Sequence, residues 1–414
     1  MTHLTPAVDK KEAISKVKSK SVLKGAQGNS HKNSSVSVLR NLNFTSRQKR
    51  LTAITAALAL SLATLPAFAT NWWTQTPSVS IGSAVINVTS MGASGNGSMD
   101  DTKAFQAAIN ALPASGGTIV VPNGTYMINA VTGVSMRSHV RLSLAGSAYI
   151  KAIPNNQQRY NMIKVWNVNN VEIEGGNFIG ERTQHTGSGG EWGYGINISG
   201  SSSVYVHDLG VSNCWGDGLL VGATGSGSSL VRSTGVTINR VTSKNNRRQG
   251  LTITPSNQVY VVNSTFTDSN GTAPQAGIDI EPATQGTVTQ VRLESDTLSN
   301  NVGNGLEVHT NVSGLTLYKV TSEGNKGFGV YTGGPTNVSI TGSNLSENYL
   351  FGVDIAAGTN SVTISGNTIE WNGDAWFYAH GESIFTEGWS PRDIEIASTA
   401  KGVSQSNNVI SPEK

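Results

Sequence analysis

From Val236 onward the chain repeats itself, and this repetition limits the possible fold more than any other property of the sequence. Segments beginning at Val236, Val259, Val291, Leu315, Val338 and Val362 align with one another, and Val171 and Val204 open two earlier members. The unit is about 23 residues long, with insertions in a few members, and periods of that length belong to solenoids. Within each unit, short runs such as VTINRV and VSITGS alternate apolar and polar residues. A period of two makes them strands.

A single turn of this length cannot bury its own apolar row. Stacked turns bury one another's rows and pair their backbones as parallel sheets about 4.8 Å apart. The expected fold is all-β: a single-stranded parallel β-helix of roughly ten coils over residues 70–414. Residues 171–372 hold the regular repeats. Asn recurs at one turn position (Asn213, Asn245, Asn270, Asn300, Asn325, Asn348, Asn372). Asn tolerates left-handed backbone, and stacked amides can bond from coil to coil, so these residues read as a structural ladder. Both open ends of a solenoid need covering. In 85–126, Asp101 or Thr102 is expected to cap a short helix that buries Phe105, Ala108, Ile109 and Leu112. The segment 373–414 loses the repeat, and its Trp376, Phe377, Tyr378 and Trp389 are expected to close the other end.

Composition agrees: 47 Gly with only 13% charged residues is turn-rich, unlike a helical bundle or a disordered chain. The net charge of +3 hides an uneven distribution. Residues 1–50 carry eleven of the 29 Lys and Arg against only Asp9 and Glu12, so the remainder is mildly acidic and nucleic acid is not an expected partner. After this basic extension, 51–69 is apolar and ends in Ala67-Phe68-Ala69, the pattern of a cleaved signal peptide. The protein is therefore expected to be secreted or periplasmic, without stable membrane association after cleavage. An uncleaved anchor is the competing reading. Cys214 is the only cysteine, which rules out an internal disulfide and points to a buried thiol.

Three stretches, Gly92-Ala93-Ser94-Gly95-Asn96-Gly97, Asp100 to Ile109 (DDTKAFQAAI) and Gly116 to Tyr126 (GGTIVVPNGTY), together resemble the opening of the pectate-lyase superfamily domain. Rhamnogalacturonase-type and epimerase-type members share this opening. The resemblance implies a pectin-lyase-like, right-handed single-stranded parallel β-helix and leaves the reaction open.

Each repeat ends in a strand led by Gly, as at Gly218, Gly250, Gly277, Gly305, Gly329 and Gly352. The first and third residues after Gly are mostly apolar, so the second points outward. Read coil by coil, the outward column is Asn197, Leu220, Thr252, Asp279, Glu307, Tyr331 and Asp354. The next outward position adds Glu281 and His309. Asp279, Glu281, Glu307 and His309 then form a two-by-two block, about 5 Å apart across strands and about 7 Å along them. Like charges so close raise at least one pKa, as a general acid requires. These four are the candidate catalytic residues. Asp279, Glu281 and Glu307 could equally hold Ca²⁺, although no cofactor is required.

Candidate substrate-binding residues surround the block. Arg247 and Arg248 suit a substrate carboxylate. Asp217, Gln249, Thr252 and Tyr331 share the outward positions, and Trp192 and Trp215 could stack on sugar rings. Insertions at 180–194, 222–234 and 271–276 are expected to wall one edge of this sheet. Arg182, His185 and Glu191 in the first insertion are weaker candidates, and His207 reads as a surface or turn residue.

The function expected first is hydrolysis of an acidic, uronate-containing polysaccharide by paired carboxylates. A lyase or C5-epimerase using His309, Tyr331, Arg247 and Arg248 is the alternative. Gly277-Ile278-Asp279-Ile280-Glu281-Pro282 resembles the Gly-aromatic-Asp-Pro-His strand of alginate C5-epimerases, with Glu281 where those enzymes carry His. The motif series of polygalacturonases is absent. A non-catalytic glycan-binding β-helix is the third reading.

Overall fold

The alternating repeats form three columns of parallel strands, each strand pairing with its counterpart in the next coil. The computed structural model describes residues 71–282, 284–373 and 393–410. The basic extension, the apolar segment 51–69 and the aromatic end segment with Trp376, Phe377, Tyr378 and Trp389 lie outside the described residues. One column, here called the front sheet, runs through Trp192–Ser199, Leu219–Thr224, Leu251–Ile253, Ile278–Ile280, Leu306–Val308, Val330–Thr332, Val353–Ile355 and Ile394–Ile396. The other two columns follow it in each coil, as in Ser256–Val262 and Thr265–Thr267. Leu251, Ile253, Ile278, Ile280, Leu306 and Val308 are fully buried, so the first and third residues after each glycine do point inward.

The leading glycines have a steric cause. A Cβ on Gly277 would stand 2.8 Å from the Gly305 carbonyl oxygen, and one on Gly305 would stand 2.7 Å from that of Gly329. Coils stacked at hydrogen-bonding distance leave no room there for a side chain.

The asparagine ladder exists, but its membership differs from the sequence reading. Amide hydrogen bonds run Asn301 to Asn325 (2.9 Å), Asn325 to Asn348 (2.9 Å) and Asn348 to Asn372 (3.0 Å), ending on Asp393 (3.0 Å). In the earlier coils the ladder position is held by Asn246, whose carbonyl accepts from the Cys214 amide. Asn213, Asn245 and Asn300 instead take the left-handed turn just before it, with φ near 55°. Asn270 does neither and holds Arg182. The turn needs one residue with positive φ and one with a buried amide, and a doublet such as Asn300-Asn301 supplies both.

Helix α1 (Thr102–Ala111) buries Phe105, Ala108 and Ile109. Asp101 precedes it without capping it. Its carboxylate accepts from the Ser94 and Gly95 amides, while Asp100 accepts from the Thr102 amide. The loop before the helix has captured the side chain expected to cap it. Cys214 is buried, and burial pushes its thiol pKa up. Among the described residues, no helix is long and apolar enough to cross a membrane.

Candidate active site on the front sheet

The front sheet keeps one register through the acidic coils: Thr252 pairs with Asp279, Asp279 with Glu307, Glu307 with Tyr331, and Tyr331 with Asp354. Asp279 and Glu307 therefore stand side by side on the outer face. His309, at the end of its strand, places Nε2 3.2 Å from a carboxylate oxygen of each. Those two contacts push the imidazole up to about 10, so it carries a proton across the neutral range.

Position on the outer face does not mean contact with solvent. Asp279 has no exposed surface. Gln249 donates to its Oδ2 at 2.5 Å, and His309 covers the other oxygen. Burial pushes Asp279 up to about 6 against the pull of His309, with Glu281 and Glu307 adding to the rise. The carboxyl has the proton affinity of a general acid but no route to a substrate oxygen. Its expected direct catalytic role is therefore corrected to one of holding and charging His309.

Arg248 closes the rest of this half. Its guanidinium reaches Asp217 at 3.2 Å and Glu281 at 2.7 Å, and it donates to the Gln249 side-chain oxygen. The Thr252 hydroxyl donates to Asp217 at 2.7 Å. Asp217, Gln249 and Thr252 are all fully buried. Burial lifts Asp217 to about 7, even though Arg248 and Thr252 pull it down. A buried ion pair of this kind is kept by mutual neutralisation. Hence Arg248, Asp217, Gln249 and Thr252 do not offer substrate contacts.

Trp215 is corrected in the same way. The Arg247 guanidinium lies 3.9 Å from its ring centre, and the His185 ring stacks at 3.8 Å and 13°. Two groups this close to one ring centre cannot share a face, so no face is left for a sugar. Arg247 is further spent on the Gly190 carbonyl at 2.7 Å. His185 binds Glu181 at 3.0 Å, and Arg182 ties this loop to Asn245 and Asn270. Trp192 is half-buried, with Arg159 4.7 Å over its ring, and Glu191 lies 4.0 Å from Arg248.

The groups left facing outward without an arginine partner are His309, with 40% of its side chain exposed, Glu307 with 17%, and the partly exposed Tyr331 and Asp354; Glu281 keeps 28% but is held by Arg248. Asn304 donates to Glu307 at 3.0 Å. The loops 180–191 and 271–276 enter the front sheet at one edge, whereas 222–234 leaves from the other and folds back as a hairpin pairing Ala223 with Arg232. The expected single wall is thus two, because residues before and after a strand lie at its opposite ends.

Calcium does not fit the expected triad of Asp279, Glu281 and Glu307. The His309 ring stands between two of these carboxylates and Arg248 holds the third, so the charges are already met from within. A group that could take a metal occurs elsewhere: Glu172, Glu174 and His207 bring one ligand atom each within 4.8 Å of one another. There His207 is mostly buried, not a surface or turn residue as expected, with Nε2 3.0 Å from Glu172 and Nδ1 2.6 Å from Asp208. Arg141 pairs with Glu172 at 2.9 Å. The alternation in Val171-Glu172-Ile173-Glu174 already places both glutamates outward, beside the coil that carries His207. A concave surface of about 780 Å³ lies next to this group, over Gly175, Gly176, Asp208, Arg240 and Lys244. It contains none of the front-sheet carboxylates.

Two family models match the chain: "Rhamnogalacturonase A/epimerase, pectate lyase-like" over residues 85–187, and "Right handed beta helix region" over 274–398. The uncharacterized protein YclG of Bacillus subtilis (strain 168) is 31% identical over 266 residues, which is 58% of this chain and 45% of YclG. The chain spans less than half the length of the curated relatives it matches. Among solved structures, the A-module of the Azotobacter vinelandii mannuronan C-5 epimerase AlgE4 aligns at TM-score 0.57 and 18% identity, over 80% of this chain and 98% of that one. The N-terminal fragment of bacteriophage Phi29 gene product 12 aligns at TM-score 0.62 and 15% identity, over 88% of this chain and 60% of that one.

Proposed function

Because the chain belongs to the pectin-lyase-like superfamily of right-handed parallel β-helices, we propose that it is an exported enzyme acting on an acidic polysaccharide along the open half of its front sheet. One observation carries this reading. Of the charged cluster on that face, Glu307 and His309 combine an outward position and exposed surface with freedom from any arginine, whereas Glu281, though 28% exposed, is held by Arg248. Glu307 supplies a carboxylate for acid–base work, and the protonated His309 beside it supplies positive charge for a uronate group. A substrate carboxylate meets this imidazolium rather than the arginines, whose charges are spent inside the fold. Glycosidic hydrolysis is the leading reaction.

A second reading, elimination or C5-epimerisation, is favoured by the Gly277–Pro282 strand, which carries Asp279 where alginate epimerases carry Asp, and by the likeness to the mannuronan C-5 epimerase module. Purified protein incubated with pectin, alginate and other uronate polymers separates the outcomes. New reducing ends without ultraviolet absorbance mark hydrolysis. Absorbance of an unsaturated uronate marks elimination, and altered uronate stereochemistry without chain breaks marks epimerisation. Binding with none of these makes the protein a glycan-binding module and sinks the enzymatic reading. Detection of the protein in the culture medium or periplasm tests export.

A further inference from the structure

The open half of the front sheet holds a second carboxylate, Asp354, that the cluster around Asp279 does not involve. Glu307 pairs with Tyr331, and Tyr331 pairs with Asp354, so the two acids share one outward column with a single tyrosine between them. Two strand spacings put their backbones about 9.6 Å apart. Parallel outward side chains keep roughly that separation, and inverting glycosidases hold their carboxyl pairs about 6.5–9.5 Å apart to admit a water beside the sugar. The neighbouring acids do not meet this requirement: Asp279 is sealed and Glu281 is held by Arg248.

The surroundings of the two acids differ in a useful way. Asn304 donates to Glu307, and His309 places positive charge 3.2 Å from it. Asp354 lies in the aromatic half of the face. Phe328 stacks with Tyr331 at 5.5 Å and with Phe351 at 5.9 Å. Burial there, followed by repulsion from Glu395 on the next strand, pushes the Asp354 carboxyl up to about 6. The Tyr331 phenol is raised by burial and then by these same two carboxylates, Asp354 and Glu307, so it senses both.

Resting on the hydrolytic reading above, we propose that Asp354 is the general acid and Glu307 the general base of an inverting hydrolysis, with the sugar at the cleavage point lying across Tyr331. Glu307 takes a proton from a water, whose oxygen bonds to the anomeric carbon on the face away from the leaving group. The bond from that carbon to the glycosidic oxygen breaks, its electron pair stays on the oxygen, and the oxygen takes the proton of Asp354. Exchange with solvent returns Asp354 to the acid form and Glu307 to the anion.

The test uses the full chain and the polymer that the wild type cleaves. Asp354→Asn should lower kcat at least about a hundredfold with little change in KM. It should also remove the fall in rate above about pH 6 that an acid of this kind imposes. The loss should shrink sharply on a 4-nitrophenyl glycoside of the same sugar, whose phenolate leaves without a proton, a rescue that a merely structural role would not give. Nuclear magnetic resonance of the first products should show the inverted anomer. Near wild-type activity of Asp354→Asn while Glu307→Gln is dead, or equal loss on polymer and aryl glycoside, overturns the assignment and leaves the broader reading standing. A retained anomer or an unsaturated product overturns it in the wild type alone, even if the variant does not fold. A wild type inert on every polymer defeats the broader reading, and this inference with it.

Discussion

The two halves of the front sheet carry similar residues and behave differently. From Asp217 to Glu281 the outward positions hold carboxylates, yet Arg248 spans them and the side chains between are buried. From Glu307 to Asp354 the outward positions hold carboxylates that no arginine spans, with the half-exposed His309 pairing with Glu307, and they keep exposed surface. The first half is largely an interior built on the outside of the sheet: its charges hold each other, and of its acids Glu281 keeps exposed surface. The second half has charges left to meet a substrate. A count of acidic residues does not tell the two apart. The burial of the cation that holds them does: the Arg248 side chain is 10% exposed and that of His309 40%.

The largest test of this contrast removes the bridge. Above about pH 7, where Asp217 is ionised, Arg248→Met leaves Asp217 and Glu281 uncompensated and should cost about 3–5 kcal/mol of folding stability, read from denaturant unfolding. If substrate affinity falls while stability holds, Arg248 belongs to the open half after all. The reciprocal change is Glu307→Gln, which should cost at least about a hundredfold in rate and less stability than Arg248→Met.

The halves should also differ in the pH at which they lose stability. Asp217 is raised from its ordinary 3.8 to about 7, so between those values the folded chain holds a proton that the unfolded chain releases. Stability then falls as pH rises through that window. His309 is raised from 6.5 to about 10, so its contribution is complete below 6.5 and is lost as pH climbs through 10. Asp217→Asn should flatten the acidic fall, and His309→Gln the alkaline one, in unfolding curves taken across pH. If both variants flatten the same window, the halves are one coupled unit. The smallest effect is expected at Tyr331→Phe. Loss of one hydrogen bond to the sugar, about 0.5–1.5 kcal/mol, should raise KM a few-fold and leave unfolding unchanged.

Much of this face is legible in the residue pattern, and the limits have specific causes. The pairing of Asp279 with Glu307 follows from alternation, since a slip of one residue would turn Ile278 and Ile280 outward. The closure of the first half does not follow, because it depends on which way a long Arg248 side chain turns among several acids within its reach. The fate of Trp215 was hidden for a similar reason: His185 and Arg247 reach it from two different coils. The doublets Asn245-Asn246 and Asn300-Asn301 offered two candidates each for the ladder, and only the backbone angle shows which residue turns and which one stacks.

By itself, the sequence determined the parallel solenoid, its inward rows and the order of residues along its outer face, because a period-two pattern repeated from coil to coil admits one register. Only the tertiary structure decided which outward groups stay in solvent. Exposure depends on side chains arriving from neighbouring coils and loops, and the distance each must span is not written in the spacing of any one strand.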